Sequence, residues 1–97
     1  MIDFLKEYNI SLKVIDMIKK ENSGANLYNL SCNQEEIKEI INYLRGLGII
    51  CVDELLIYRI DLFFNSLDDI KKRFSKYNIN DLVNSLNNDY CFIDLIK

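Results

Sequence analysis

The apolar residues Ile37, Ile40, Ile41, Leu44 and Leu47 follow one another at i, i+3, i+4, i+7 and i+10. That spacing lays them along one face of a helix and predicts one over about residues 33–47. Asn33 and Glu36 stand where a cap and its reciprocal partner belong, so a capping box is expected to open it. Glu35, Glu36 and Glu39 crowd its start and Arg45 lies near its end, which complements the helix dipole. A second stripe, Leu67, Ile70, Phe74 and Tyr77, predicts a helix over about residues 67–77. Its plan is the same: Ser66 and Asp69 as the cap pair, acids at the front, and Lys71, Lys72, Arg73 and Lys76 in the later part.

The ends of these stripes are alike. Leu44, Leu47, Gly48 and Ile49 read as a last helical turn, a left-handed stop and an apolar residue that folds back on the helix. Leu5, Tyr8, Asn9 and Ile10 carry the same pattern with Asn, the other residue that tolerates left-handed backbone, and so do Phe74, Tyr77, Asn78 and Ile79. All three stops are expected to be left-handed. After each comes a shorter helical stretch, residues 11–22, 51–59 and 80–89, and then a compact apolar one, residues 25–30, 60–64 and 90–96. In the first two cases a serine follows, Ser31 or Ser66, placed to cap the next helix. The expected architecture is all-α, a short array of helical hairpins of α-solenoid type in a single domain, with approximate repeats 1–31, 32–66 and 67–97. The spacing is uneven, 39 residues from Ile10 to Ile49 and 30 from Ile49 to Ile79, so a plain helix bundle with coincident caps stays open as the alternative.

Composition narrows the class further. A chain of 97 residues, 49% apolar and 28% charged, is sized and balanced for one globular domain with its own core. It has no proline and three glycines, too little turn punctuation for a sheet protein of this length. No apolar run is long enough to span a bilayer, and the opening MIDFLKEYNI lacks the form of a secretory signal, so a cytoplasmic location and no membrane contact are expected. Histidine is absent, and Cys32, Cys51 and Cys91 stand too far apart for a paired zinc set and are odd in number for a disulfide framework. They are expected to be reduced, mostly buried thiols. With no histidine base and no phosphate-binding glycine loop, neither an enzyme nor a bound cofactor or metal is expected.

The order of long helix, stop, short helix, apolar elbow and serine cap resembles the mitochondrial transcription termination factor (mTERF) family. That family repeats two helices and a short 3₁₀ turn around a leucine-x-x-leucine-glycine-apolar corner. Leu44, Leu47, Gly48 and Ile49 match the corner directly. The other two corners match with Tyr and Asn in place of Leu and Gly. The family usually places a proline before the 3₁₀ turn, near Ile60 or Asp61 here, and this chain has none. The resemblance implies nucleic-acid binding along a basic concave face. The charge runs against that: 12 Lys plus Arg stand against 15 Asp plus Glu, net −3, where phosphate neutralisation calls for a basic footprint.

Two function classes follow. The first is a non-enzymatic interaction module that binds a protein partner or self-associates, with aromatic anchors in the elbows or at the apolar C-terminal end. Tyr90, Phe92, Ile93 and Ile96 are the candidate contacts there, since an array that ends on apolar residues lacks the polar outer face of a terminal repeat. The alternative is a small nucleic-acid-binding regulator of mTERF-like type, with Lys71, Lys72, Arg73 and Lys76 on phosphates and Arg45 and Lys6 extending the patch. The two separate on whether those cations line up on one face. Glu35, Glu36 and Glu39 read as dipole-stabilising surface acids and not as a metal or acid–base set.

Overall fold

Every regular element of the chain is helical. The computed structural model describes residues 1–97 and arranges them in three successive segments. The first holds a 3₁₀ helix η1 (Asp3–Tyr8) and helices α1 (Leu12–Glu21) and α2 (Gly24–Cys32). The second holds α3 (Gln34–Gly46), α4 (Val52–Tyr58) and the 3₁₀ helix η2 (Ile60–Phe64). The third holds α5 (Leu67–Phe74), α6 (Ile79–Asn88) and the 3₁₀ helix η3 (Tyr90–Leu95). Two α-helices followed by a 3₁₀ helix thus occur twice in succession.

The stripe of α3 is buried as its spacing requires: Ile37, Ile40, Ile41 and Leu44 are fully enclosed. Beyond it Gly48 turns left-handed at φ 94°. The Gly48 N–H donates to the Arg45 carbonyl at 3.0 Å and the Ile49 N–H to the Leu44 carbonyl at 3.1 Å. This pair of bonds is a Schellman closure, and its apolar clasp is Ile49 on Leu44, both buried. The end of η1 is built the same way. Asn9 sits at φ 62°, and the Asn9 and Ile10 N–H groups donate to the Lys6 and Leu5 carbonyls, each at 3.2 Å.

The third stop departs from the expectation. α5 ends at Phe74, a turn earlier than the stripe suggested, and Lys76 and Tyr77 close it through bonds to the Arg73 and Phe74 carbonyls. Asn78 is therefore not needed as a left-handed stop. It adopts an extended φ of −66° and accepts the Asp81 N–H on its side chain, capping α6. At the first corner a separate residue does that task, since Ser11 caps α1 by accepting the Val14 N–H at 3.2 Å.

Two further expectations change around residue 30. Residues 25–30 are part of α2 and not an elbow, because Ser23 caps the stretch by accepting the Asn26 N–H at 3.1 Å. Ser31 consequently lies inside α2, its hydroxyl donating to the Tyr28 carbonyl. Asn33, the one residue between α2 and α3, turns its amide back to the Asn29 carbonyl and makes no cap for α3. Glu36 is left free of a capping box. Its carboxylate accepts the Leu67 N–H at 2.7 Å, so it closes the start of α5 in the next segment. There it satisfies one of the orphan donors of a helix N-terminus.

The core is one cluster of buried side chains, every one apolar, with no polar or charged residue among them. α1 packs along α4, α3 lies against η1, η2 and α5, and η3 folds onto α6. Such a core sets the driving force for packing, while half-buried polar ties fix how the segments meet. Asn22, just past α1, donates to the Ile57 carbonyl at 3.0 Å, and Cys51 lies 3.4 Å from the Leu86 carbonyl, each joining residues 35 apart. Asn87 of α6 braces the second corner twice: it donates to the Gly48 carbonyl at 3.0 Å and accepts the Ile50 N–H at 2.9 Å. Arg45 does the same for the first corner by donating to the Tyr8 carbonyl.

Candidate interaction surfaces

The basic candidates do not form a free patch. Arg45 is half-buried and committed to the Tyr8 carbonyl. The Lys71 ammonium lies 5.5 Å from the centre of the Tyr43 ring. Arg73 is half-buried and donates to the Asn65 side chain at 3.0 Å, while Lys76 reaches the Lys97 carbonyl at 3.1 Å. Lys72 alone of this group is exposed with no hydrogen bond, ion pair or ring contact, and Lys6 is exposed on η1. The helix period explains the scatter. Arg73 projects about 100° away from Lys72 on α5 and meets Asn65 of the second segment, while Lys76 lies past the end of the helix.

At the C-terminal end the structure corrects two candidates. Ile93 and Ile96 are core residues, 9% and 4% exposed, and not surface contacts. η3 packs on α6, and Ile93 within it and Ile96 just after it join the core. Tyr90 and Phe92 are half-buried against the core, and Leu95, which was not a candidate, is the exposed apolar residue there. Arg59 clamps this end in place. Its Nε donates to Asp94 at 2.9 and 3.2 Å, Nη2 donates to Asp94 at 3.1 Å, and Nη1 donates to the Tyr58 carbonyl at 2.8 Å. The guanidinium also stands 5.4 Å over the Tyr90 ring, which stacks on Tyr58 at 5.6 Å. The bidentate bond to Asp94 raises the guanidinium pKa and keeps it firmly charged.

The exposed apolar surface that sequence reasoning passed over lies at the second corner. Ile49 and Ile50 are adjacent, and when Ile49 folds back on α3 its neighbour must face the other way. Ile50 is 78% exposed. Ile79, Val83 and Asn87 share one face of α6 at i, i+4 and i+8. Asn87 bonds Gly48 and Ile50, and a Cβ on Gly48 would stand 3.9 Å from Val83. Ile50 and the half-buried Val83 therefore border one corner, with the exposed Ile79 a turn further along the same face of α6. Beside it runs an open groove of about 400 Å³ whose rim includes Asn9, Arg45, Ile50 and Asp53. The doubled isoleucine after a stop was the available sequence signal.

The remaining chemistry is dispersed. Cys51 is buried, with its thiol pKa pushed up by that burial and by the nearby Glu54 charge. Cys91 is half-buried, and Cys32 is exposed on α2, contrary to the expectation that most of the thiols would be enclosed. Burial also raises the Tyr43 hydroxyl pKa. Glu35 and Glu39 are exposed on α3, while Glu36 is bound to α5. No helix is long and apolar enough to cross a membrane. No protein family matches the chain, and no curated protein or solved structure does either.

Proposed function

We propose that the chain is a non-enzymatic helical-repeat module that binds a protein partner through the corner formed by Gly48, Ile50 and α6. One observation carries the reading. Ile50 is a large aliphatic side chain 78% exposed on backbone that Asn87 ties on both sides. A rigid apolar anchor needs little further ordering on binding, which is the feature that favours a contact hot spot. The commitment of Arg45, Arg73, Lys71 and Lys76 to groups of the same chain is the reason a protein partner is preferred to nucleic acid.

The repeat organisation, approximately 1–31, 32–66 and 67–97 in the manner of the mTERF family, belongs to the same proposal. Two observations support it. The bonds that close the first two corners superpose at an offset of 39 residues. Most side-chain ties between segments join residues 31 to 39 apart, as stacked repeats of that length require, with Arg73 to Asn65 the short-range exception.

Photo-crosslinking tests the reading. A photoreactive residue is placed at position 50, or at the exposed Asp68 as a control, in the organism that makes the chain. One discrete adduct from position 50 that is missing from position 68 is the expected result. Equal, diffuse labelling from both positions would overturn it.

A further inference from the structure

Between η2, α5 and η3 lies an open pocket of about 160 Å³ lined by two arginines from different segments, Arg59 and Arg73. Asn65 lines it as well, and Leu62 and Ile93 give it apolar walls. Two carboxylates, Asp61 and Asp94, also border it, so the lining is formally neutral. The four charges are not equally available. Asp94 is taken up by Arg59 at 2.9 to 3.2 Å, and Asp61 is exposed to water. Arg73 has no such partner. It is half-buried, it forms no ion pair, and its one hydrogen bond is from Nη2 to Asn65 Oδ1 at 3.0 Å.

A guanidinium carries five N–H donors in a planar fork, so most of those on Arg73 are free. Asn65 cannot move to satisfy more of them. Its amide is held by the Asp61 and Leu62 carbonyls at 3.1 and 3.2 Å, which aims its oxygen at Arg73 Nη2. An oriented fork with unpaired donors, beside an arginine whose own charge Asp94 already balances, suits an oxyanion that Arg73 itself would hold. The cavity has room for a few water molecules at about 30 Å³ each, enough for one small tetrahedral group and too little for a polymer.

The geometry points to a binding site for a single small tetrahedral oxyanion of the phosphate type, held by Arg73 and oriented by Asn65. This assignment is independent of the protein-binding reading, because the corner at Ile50 contributes nothing to the cavity lining.

The test is a titration of ¹⁵N-labelled protein with inorganic phosphate at pH 7 and constant ionic strength. The Asn65 side-chain amide and the Arg73 Nε–H signals are followed, with sulfate and acetate as further arms. The expected result is saturable movement with a Kd of about 1–10 mM, matched by sulfate and roughly tenfold weaker for acetate. Arg73→Gln should abolish it. Arg73→Lys, which keeps the charge without the fork, should weaken it several-fold. Lys72→Gln, on the same helix but outside the cavity, should leave it unchanged. Asp61→Asn should tighten binding by about two- to fivefold by removing a facing charge. The Asp61 side chain makes no bond of its own, so that gain cannot come from repaired folding. Linear drift without saturation, acetate saturating in place of phosphate, or equal loss in Lys72→Gln would each overturn the assignment.

Discussion

The second and third corners of the chain begin from the same apolar pattern and end as different structures. Leu44, Leu47, Gly48 and Ile49 close α3 with a left-handed glycine and a Schellman pair of bonds. Phe74, Tyr77, Asn78 and Ile79 share the pattern, yet α5 stops early and Asn78 becomes the cap of the next helix. The difference lies in where the following helix finds its cap. Asn can serve either as a left-handed stop or as an N-cap, and the third corner uses it as a cap. Glycine has no side chain to offer as a cap, so at the second corner only the stop is open to it. A shared pattern of apolar residues thus fixes that the chain turns, while the stop residue and the cap at hand for the next helix together decide how: Asn9 is a stop where Ser11 caps α1, and Asn78 is itself the cap of α6.

The comparison can be broken most sharply with a β-branched residue. Gly48→Val should cost about 2–3 kcal/mol, because φ 94° is strained for any L side chain even though Val83 leaves room for a Cβ. Asn78→Val at the extended third corner should cost about 1 kcal/mol, the loss of a cap. Urea denaturation midpoints with unchanged slopes would measure both, and equal losses would mean the two corners are alike after all. Asn87→Ala removes both braces of the second corner. It should cost about 1–2 kcal/mol, from two hydrogen bonds whose backbone partners water can reach. Hydrogen exchange at Ile50 should accelerate in that variant, and unchanged protection would show that α6 does not hold the corner.

Asn78→Ala and Asn78→Gly sharpen the point at smaller scale. Alanine should cost about 1 kcal/mol and glycine only a few tenths, the ranking of a cap. A stabilising Asn78→Gly would instead mark a left-handed stop. The smallest effect belongs to the first corner. Asn9→Gly should be neutral or stabilise by less than about 0.5 kcal/mol, since Ser11 already caps α1 and glycine relieves the φ of 62°. A clear destabilisation, read as a fall in melting temperature, would show that the Asn9 side chain does more than tolerate its backbone.

Much of the helical plan was legible before the fold was seen. The faces of α3 and α5 followed from their apolar spacing, and Ser66 capped α5 as its position suggested. The apolar elbows at residues 60–64 and 90–96 became η2 and η3. The same reasoning failed at α2. The weak apolar pattern of residues 25–30 concealed a helix that Ser23 and Gly24 could start, and the elbow of the first segment was misread. The candidate sites were less legible. The basic run at residues 71–76 reads as a patch along the chain, but helix geometry sends Arg73 inward to Asn65 while Lys72 faces water.

By itself the sequence determined what depends on neighbours within a turn or two: helical class, buried faces, the Ser66 cap, and the left-handed stops at Asn9 and Gly48. Local backbone sterics and a 3.6-residue period write these into adjacent positions. Only the tertiary structure decided that Glu36 closes α5, that Arg45 and Asn87 brace corners, that Arg59 clamps Asp94, and that Ile93 and Ile96 go inward while Ile50 stays out. Those pairings join residues 31 to 39 apart, where many donors and acceptors of equal chemistry compete. The stacking of an apolar core brings one of each set within 3 Å of the other, and no local pattern records which.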